Sequence, residues 1–235
     1  MSATPAAAPE PRRRVVYVRR WSDLIRLGGG IAVLLLASAG VHSDRVDGPE
    51  RAAFRAVNDL PLPGWLYPAI WLLMQGGNIG AVPVVALLAV ATRRLRMALD
   101  MALAGGAIYL IAKLVKEVIQ RGRPQTLLDD VNILGEAARG LGFVSGHSAV
   151  AIALAAVAAP YLPRWGRWLV WSLAVTVVVA RVYVGAHLPL DVIGGAALGY
   201  AAAALVHLAL GVPTEAGAEP RVAPEPPPQA QPEPG

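Results

Sequence analysis

Six stretches of this chain run apolar with few charges: residues 24–42, 65–92, 97–120, 145–163, 166–184 and 188–211. Most are close to the length of about 20 residues that a helix needs to cross the hydrocarbon core of a bilayer. The pattern predicts an all-α fold, an integral membrane bundle of six transmembrane helices spanning residues 24–211. The second stretch is overlong and carries Gly76, Gly77 and Asn78 in its middle, where a kink or a re-entrant start is expected. Residues 1–23 form a polar, basic N-terminal segment. Residues 212–235, rich in Pro with Ala, Glu and Gln, cannot bury a core and are expected to form a disordered tail. No repeat with a period of about 20–50 residues interrupts this layout.

Composition strengthens the membrane assignment. The 235 residues are 55% hydrophobic and 16% charged, where a soluble domain carries about 25% charged residues. With no cysteine, disulfides, thiolate nucleophiles and Cys-ligated metals are excluded. The net charge of +5 raises the question of nucleic acid, but 19 of the 21 basic residues are Arg, grouped in short clusters between apolar runs. Such clusters set membrane orientation, and no nucleic-acid partner is expected. With a cytoplasmic N-terminus, the inner segments hold twelve basic residues and the outer loops, 43–64 and 121–144, hold six. Both termini are therefore expected inside. Trp21, Trp65, Trp165 and Trp168 fall near span ends, where interfacial aromatics belong. A competing reading takes Ala37-Ser38-Ala39 as a signal-peptidase site, which would leave five spans in the same orientation.

The remaining charge gathers in three places. The end of the third stretch reads KEVIQRGRP, with Lys116, Arg123 and Pro124. Alone, this fits a snorkelling lysine and a loop arginine, although Lys113, one turn earlier, suits plain snorkelling better. The fourth stretch opens with VSGHS, residues 144–148. Ser145 can cap the helix and leave the Gly146 and His147 amides to meet an anion at the positive end of the helix dipole. Capping alone also accounts for the Ser and the Gly. Between the last two stretches lies ARVYVGAHLPLD, residues 180–191, with Arg181, His187 and Asp191. Pro189 suits a first helical turn, so Asp191 sits about one turn beyond His187. From there a carboxylate can fix the tautomer of the ring and leave the other nitrogen as a nucleophile. A pair that merely ties loop to helix is the alternative.

The six-span topology places all three motifs on the outer face. Ionisable groups at a membrane surface are costly and mark function. Fixed cations, helix N-termini, a carboxylate and two histidines suit a phosphate ester, whose oxygens gain charge during transfer. His187 would attack phosphorus while His147 protonates the leaving oxygen.

In order and spacing, the motifs resemble the signature of the type 2 phosphatidic acid phosphatase family, which shares its site with vanadium haloperoxidases and bacterial class A acid phosphatases. The family pattern is KxxxxxxRP, PSGH and SRxxxxxHxxxD, and the likeness extends over about residues 24–211. It implies that His187 becomes the phosphohistidine, Asp191 orients it, and His147 serves as general acid and later activates water. Lys116, Arg123, Arg181, Ser145 and the Gly146 amide would hold the phosphoryl oxygens, with no metal or other cofactor. Val144 stands in place of the family proline and Ala180 in place of the serine; both changes leave the reacting groups intact.

The resemblance implies a lipid phosphate substrate that keeps its tail among the membrane lipids: a polyprenyl diphosphate first, phosphatidic acid or phosphatidylglycerol phosphate next. The loop over residues 125–143, with Asp129, Asp130 and Glu136, is expected to cover the site. Phosphoryl transfer to another lipid or sugar, and headgroup binding without turnover, are the rival readings. Asp100, Gln75 and Asn78 outline no pathway through the membrane, and His42 and His207 are expected as interfacial polar residues rather than ligands.

Overall fold

A computed structural model describes residues 15–41 and 44–215. In chain order the elements are β1 (Val15–Val18), α1 (Trp21–Gly40), α2 (Gly48–Asn58), α3 (Tyr67–Gln75), α4 (Ala81–Ala91), α5 (Leu95–Ile119), α6 (Pro124–Leu127), α7 (Gly146–Ala158), α8 (Arg164–Tyr183), α9 (Pro189–Leu210) and β2 (Val212–Glu215). Helices dominate, as the hydrophobic pattern predicts.

Of the six expected spans, four (α1, α5, α8 and α9) are individually long and apolar enough to cross a membrane. The other two differ from expectation. The second stretch breaks at Gly76–Gly80 into α3 and α4, because successive turns replace helix there and Asn78 turns its side chain back to accept from the Gly80 amide. The fourth is a 13-residue helix continued by a 3-10 turn over Ala159–Tyr161. Large apolar side chains such as Leu35, Leu72, Leu87, Leu110 and Val118 point outward, as on a surface facing lipid.

Helix α9 is the central element. Its small residues let neighbours approach backbone to backbone: a Cβ at Gly199 would stand 2.1 Å from the Ala149 carbonyl oxygen of α7. A run of Gly and Ala thus serves as the packing surface, the usual device where lipid removes the hydrophobic drive between helices. Helix α1 packs along the same helix, with Gly30 against Ala201. Because α1 is continuous through Ala37-Ser38-Ala39, those residues are helical in the intact chain.

Two elements were not expected. Helix α2 lies within the presumed outer loop 43–64 and buries Glu50, Phe54 and Asn58, one face at a spacing of four. At the other end of the bundle, β1 and β2 pair antiparallel, with Val15 opposite Glu215 and Val18 opposite Val212. The boundary of the expected disordered tail is corrected accordingly: residues 212–215 are a strand, held by the ladder and by Arg20, which donates to Thr214. Residues 1–14 and 216–235, and with them most of the basic segment and the Pro-rich tail, lie outside the described residues, as does His42.

Candidate active site

The connection from α8 to α9 builds the centre of the site. Pro189 starts α9 without needing an amide partner, and Asp191 in the same turn accepts the Leu188 amide on Oδ2 at 3.0 Å. Asp191 therefore caps its own helix and also faces His187, whose Nδ1 lies 3.5 Å from Oδ2. The one carboxylate thus ties the loop to the helix and stands beside the ring. The Nη1 of Arg123 lies 2.8 Å from Nε2 and 3.4 Å from Nδ1 of the same ring. Nδ1 is the ring nitrogen that faces the Asp191 carboxylate, so a neutral ring protonated there leaves Nε2 as its acceptor. Burial first, then the charges of Arg123, Arg181 and Lys116 and the neighbouring His147, push the His187 pKa well below the ordinary imidazole value. That shift favours the neutral ring, the form in which an imidazole nitrogen can act as a nucleophile.

The cations arrive from separate elements. Lys116, in the last turns of α5, donates to the Leu141 carbonyl at 2.8 Å. Arg123 follows α5 and also donates to the Ala186, Arg139 and Gly140 carbonyls. Arg181, at the end of α8, lies against Met74 and has its buried Nε without an acceptor among the described residues. Lys113 is exposed, as expected of the lysine assigned to snorkelling.

Helix α7 begins as the motif suggests, with Ser145 as its cap. The hydroxyl of Ser145 accepts from Ser148 Oγ at 3.0 Å, and its backbone amide donates to the Asp191 carbonyl at 2.9 Å, so the start of α7 is braced on α9. Ser145 is fully buried. The Gly146 and His147 amides, first in the helix, have no acceptor among the described residues. His147 opens into a cleft of about 370 Å³ shared with Arg181, Tyr67, Trp71 and Glu136. All eight expected site residues thus come from the same end of the bundle. The two departures from the family pattern face elsewhere: Val144 packs against Gly194, and Ala180 lies beside Met74 and Tyr183.

Of the acidic residues in loop 125–143, Glu136 lines clefts with both Arg123 and His147. Asp129 and Asp130 are exposed, and their carbonyls are held by Arg55 of α2. Asn58, also on α2, accepts from the Asn132 amide and donates to the Tyr183 carbonyl, which ties this loop to the end of α8.

Sequence reasoning missed Arg121 and Glu50. Arg121 is fully buried behind Asp191, with Nη1 3.0 Å from Asp191 Oδ1 and 3.0 Å from Glu50 Oε1. Glu50 also accepts the Leu190 amide at 2.9 Å. The available signal was Arg121 itself, an ionisable residue at a predicted span end that needed a partner.

Comparison with known proteins supplies the family. The sequence model described as "PAP2 superfamily" matches residues 81–213. The chain is 28% identical over 131 residues to an undecaprenyl-diphosphatase of Sulfolobus acidocaldarius, covering 55% of this chain and 63% of that one; it thus spans a little under two thirds of that relative. It is also 28% identical over 179 residues to phosphatidylglycerophosphatase B of Bacillus subtilis, covering 70% of this chain and 85% of that protein. The crystal structure of a transmembrane PAP2-type phosphatidylglycerolphosphate phosphatase from Bacillus subtilis superposes with a TM-score of 0.61 at 25% identity, over 77% of this chain and 94% of that one.

Proposed function

The chain belongs to the PAP2 superfamily, and from that premise we propose that it is a membrane lipid phosphate phosphatase working through a phosphohistidine on His187. The observation that carries the reading is the position of His187, a buried ring placed against both the Asp191 carboxylate and the Arg123 guanidinium.

In this reaction the phosphoryl group takes the place beside Nε2 where Arg123 now donates. Nε2 attacks phosphorus, the N–P bond forms, and the P–O bond to the leaving group breaks as His147 gives its proton to the departing oxygen. A water then loses a proton to His147 and attacks phosphorus, the N–P bond breaks, and phosphate leaves with both histidines restored. Asp191 offsets the positive charge the ring gains in the first step. Lys116, Arg123, Arg181 and the free amides of α7 meet the three equatorial oxygens, where the charge of the transferring group is spread. Ser145 supports that arrangement from the α7 cap.

The substrate we favour is a polyprenyl diphosphate or related lipid phosphate. The names of the relatives from Sulfolobus acidocaldarius and Bacillus subtilis support this class, as does a site at the ends of apolar helices. We place the site on the outer face with both termini cytoplasmic, and count six crossings: α1, α3 with α4, α5, α7 with its 3-10 turn, α8 and α9. The arginine distribution supports that orientation. Detergent-purified protein assayed on a panel of lipid phosphates and diphosphates tests the proposal. Phosphate release in the presence of a chelator, inhibited by vanadate and lost in His187→Ala, is expected. A folded protein inert on every substrate of the panel would overturn it.

A further inference from the structure

Arg121 and Glu50 belong to no motif, yet they stand directly behind the carboxylate that faces His187. A lone buried guanidinium at Asp191 would cancel the charge that the ring requires when attack makes it cationic. Glu50 prevents this. Two carboxylates share one guanidinium, so the cluster sets two acids against one base, and Asp191 Oδ2 is the oxygen turned to His187. The cluster also fixes geometry. Arg121 holds Asp191 Oδ1, the Leu188 amide holds Oδ2, and Glu50 pins the Leu190 amide, so the first turn of α9 is fastened on three sides.

We propose that Arg121 and Glu50 are positioning residues for the phosphohistidine reaction: Arg121 aims Asp191 at His187, and Glu50, acting through Arg121, preserves the negative charge that stabilises the phosphorylated ring. The proposal rests on the reading of His187 as nucleophile. It also gives helix α2 a role in the chemistry, although α2 does not reach the reacting atoms. The groups that act on His187 come from other elements: Lys116 from α5, Arg123 from the segment after it, His147 from α7, Arg181 from α8 and Asp191 from α9. Glu50 reaches the ring only from behind, through Arg121 and Asp191 and through the Leu190 amide that it holds in the first turn of α9.

The test uses full-length protein in detergent, the folded fraction isolated by size exclusion, and a short-chain phosphatidic acid as the probe. Glu50→Gln preserves shape and removes one charge; Glu50→Asp preserves the charge; Arg121→Lys keeps a cation but loses the fork. For Glu50→Gln we expect kcat to fall about 10- to 100-fold, the range typical of residues that orient a reacting ligand through one intermediary, with KM nearly unchanged. The acid limb of the kcat/KM profile should move to lower pH, because the ring loses part of the negative potential that favours its proton. Glu50→Asp should recover much of the rate, and Arg121→Lys should fall between. If Glu50→Gln and Arg121→Lys lower the melting temperature but leave kcat and the pH profile of the folded enzyme at wild-type values, the pair is structural and the proposal fails. It fails equally if none of the three variants yields folded protein. Persistent activity in His187→Ala would instead overturn the nucleophile assignment, an outcome distinct from either.

Discussion

Two clusters of buried charge lie at opposite ends of α9, about 24 Å apart from Asp191 to His207 by helical rise. Both contain carboxylates, arginines and a histidine. At the β-ribbon end, Asp23 pairs with Arg26 and Asp100 with Arg96, each with a neighbour on its own helix, and Tyr161 donates to Asp100 at 2.6 Å. His207 stands 3.9 Å from Asp23. Each carboxylate there is met by an arginine one turn away on its own helix. At the other end the pairs join distant segments, as with Glu50, Arg121 and Asp191, and donors outnumber acceptors: Lys116, Arg123, Arg181 and the Gly146 and His147 amides converge with little but loop carbonyls to receive them. Charge paired between near neighbours holds a shape. Donors assembled from four segments, with few acceptors among them, suit the phosphoryl anion of the proposed reaction.

This contrast can be broken most sharply with the two histidines. His187→Ala should lower phosphate release on the order of 10⁴-fold or more, while His207→Ala should leave kcat per folded molecule unchanged; equal losses in a steady-state assay would erase the distinction. Loss of the general acid comes next. His147→Ala should cost about 10²- to 10⁴-fold in kcat/KM on an alkyl phosphate and much less in kcat/KM on nitrophenyl phosphate, whose leaving group departs without a proton in the first step. Gly142→Ala tests the packing over the site, because its Cβ would stand 2.5 Å from the Gly122 carbonyl oxygen and 3.0 Å from Asp191 Oδ2. A displaced carboxylate should cost up to about 10²-fold in kcat of the folded fraction, and the clash with the Gly122 backbone should lower the melting temperature as well.

At the ribbon end the expected effects are on stability alone. Asp100→Ala leaves Tyr161 without its acceptor and Arg96 with the Leu210 carbonyl, and should cost about 1–3 kcal/mol in denaturation, with the specific activity of the remaining folded enzyme intact. The smallest effect concerns pH. His187 is held neutral well below the ordinary imidazole range, whereas the unfolded chain takes up this proton near pH 6.5. Below that value the unfolded state binds more protons, so the contribution is complete above pH 6.5 and lost as pH falls, by at most about 1.4 kcal/mol per unit. Melting temperatures between pH 8 and 5 should decline less steeply in His187→Gln than in wild type.

The legible part of the molecule was the part written in local patterns. Apolar runs located every long helix to within a few residues, and the kink at Gly76 and Gly77 is a break between α3 and α4. The three motifs brought Lys116, Arg123, His147, Arg181, His187 and Asp191 to one end of the bundle because alternate spans return there. What escaped was polar and long-range. Helix α2 hides a face of Glu50, Phe54 and Asn58, two polar residues to one aromatic, which a hydrophobic pattern reads as loop. Arg121 counted as a loop charge because its partners lie some 70 residues away along the chain. The β-ribbon pairs four-residue strands from opposite ends of the described chain, and no local signal connects them.

The packing of α1 along α9 has a consequence for how the protein is made. During synthesis α1 is the first of the described helices to enter the membrane and α9 the last, so the groove around Gly30 waits for its partner until every intervening helix is in place. The β1–β2 ribbon closes only then, and acts as a clasp between the earliest and latest described segments. A chain halted before Ala201 would expose the small-residue face of α1 to lipid and to quality-control proteases, while a chain carried through Glu215 would conceal it.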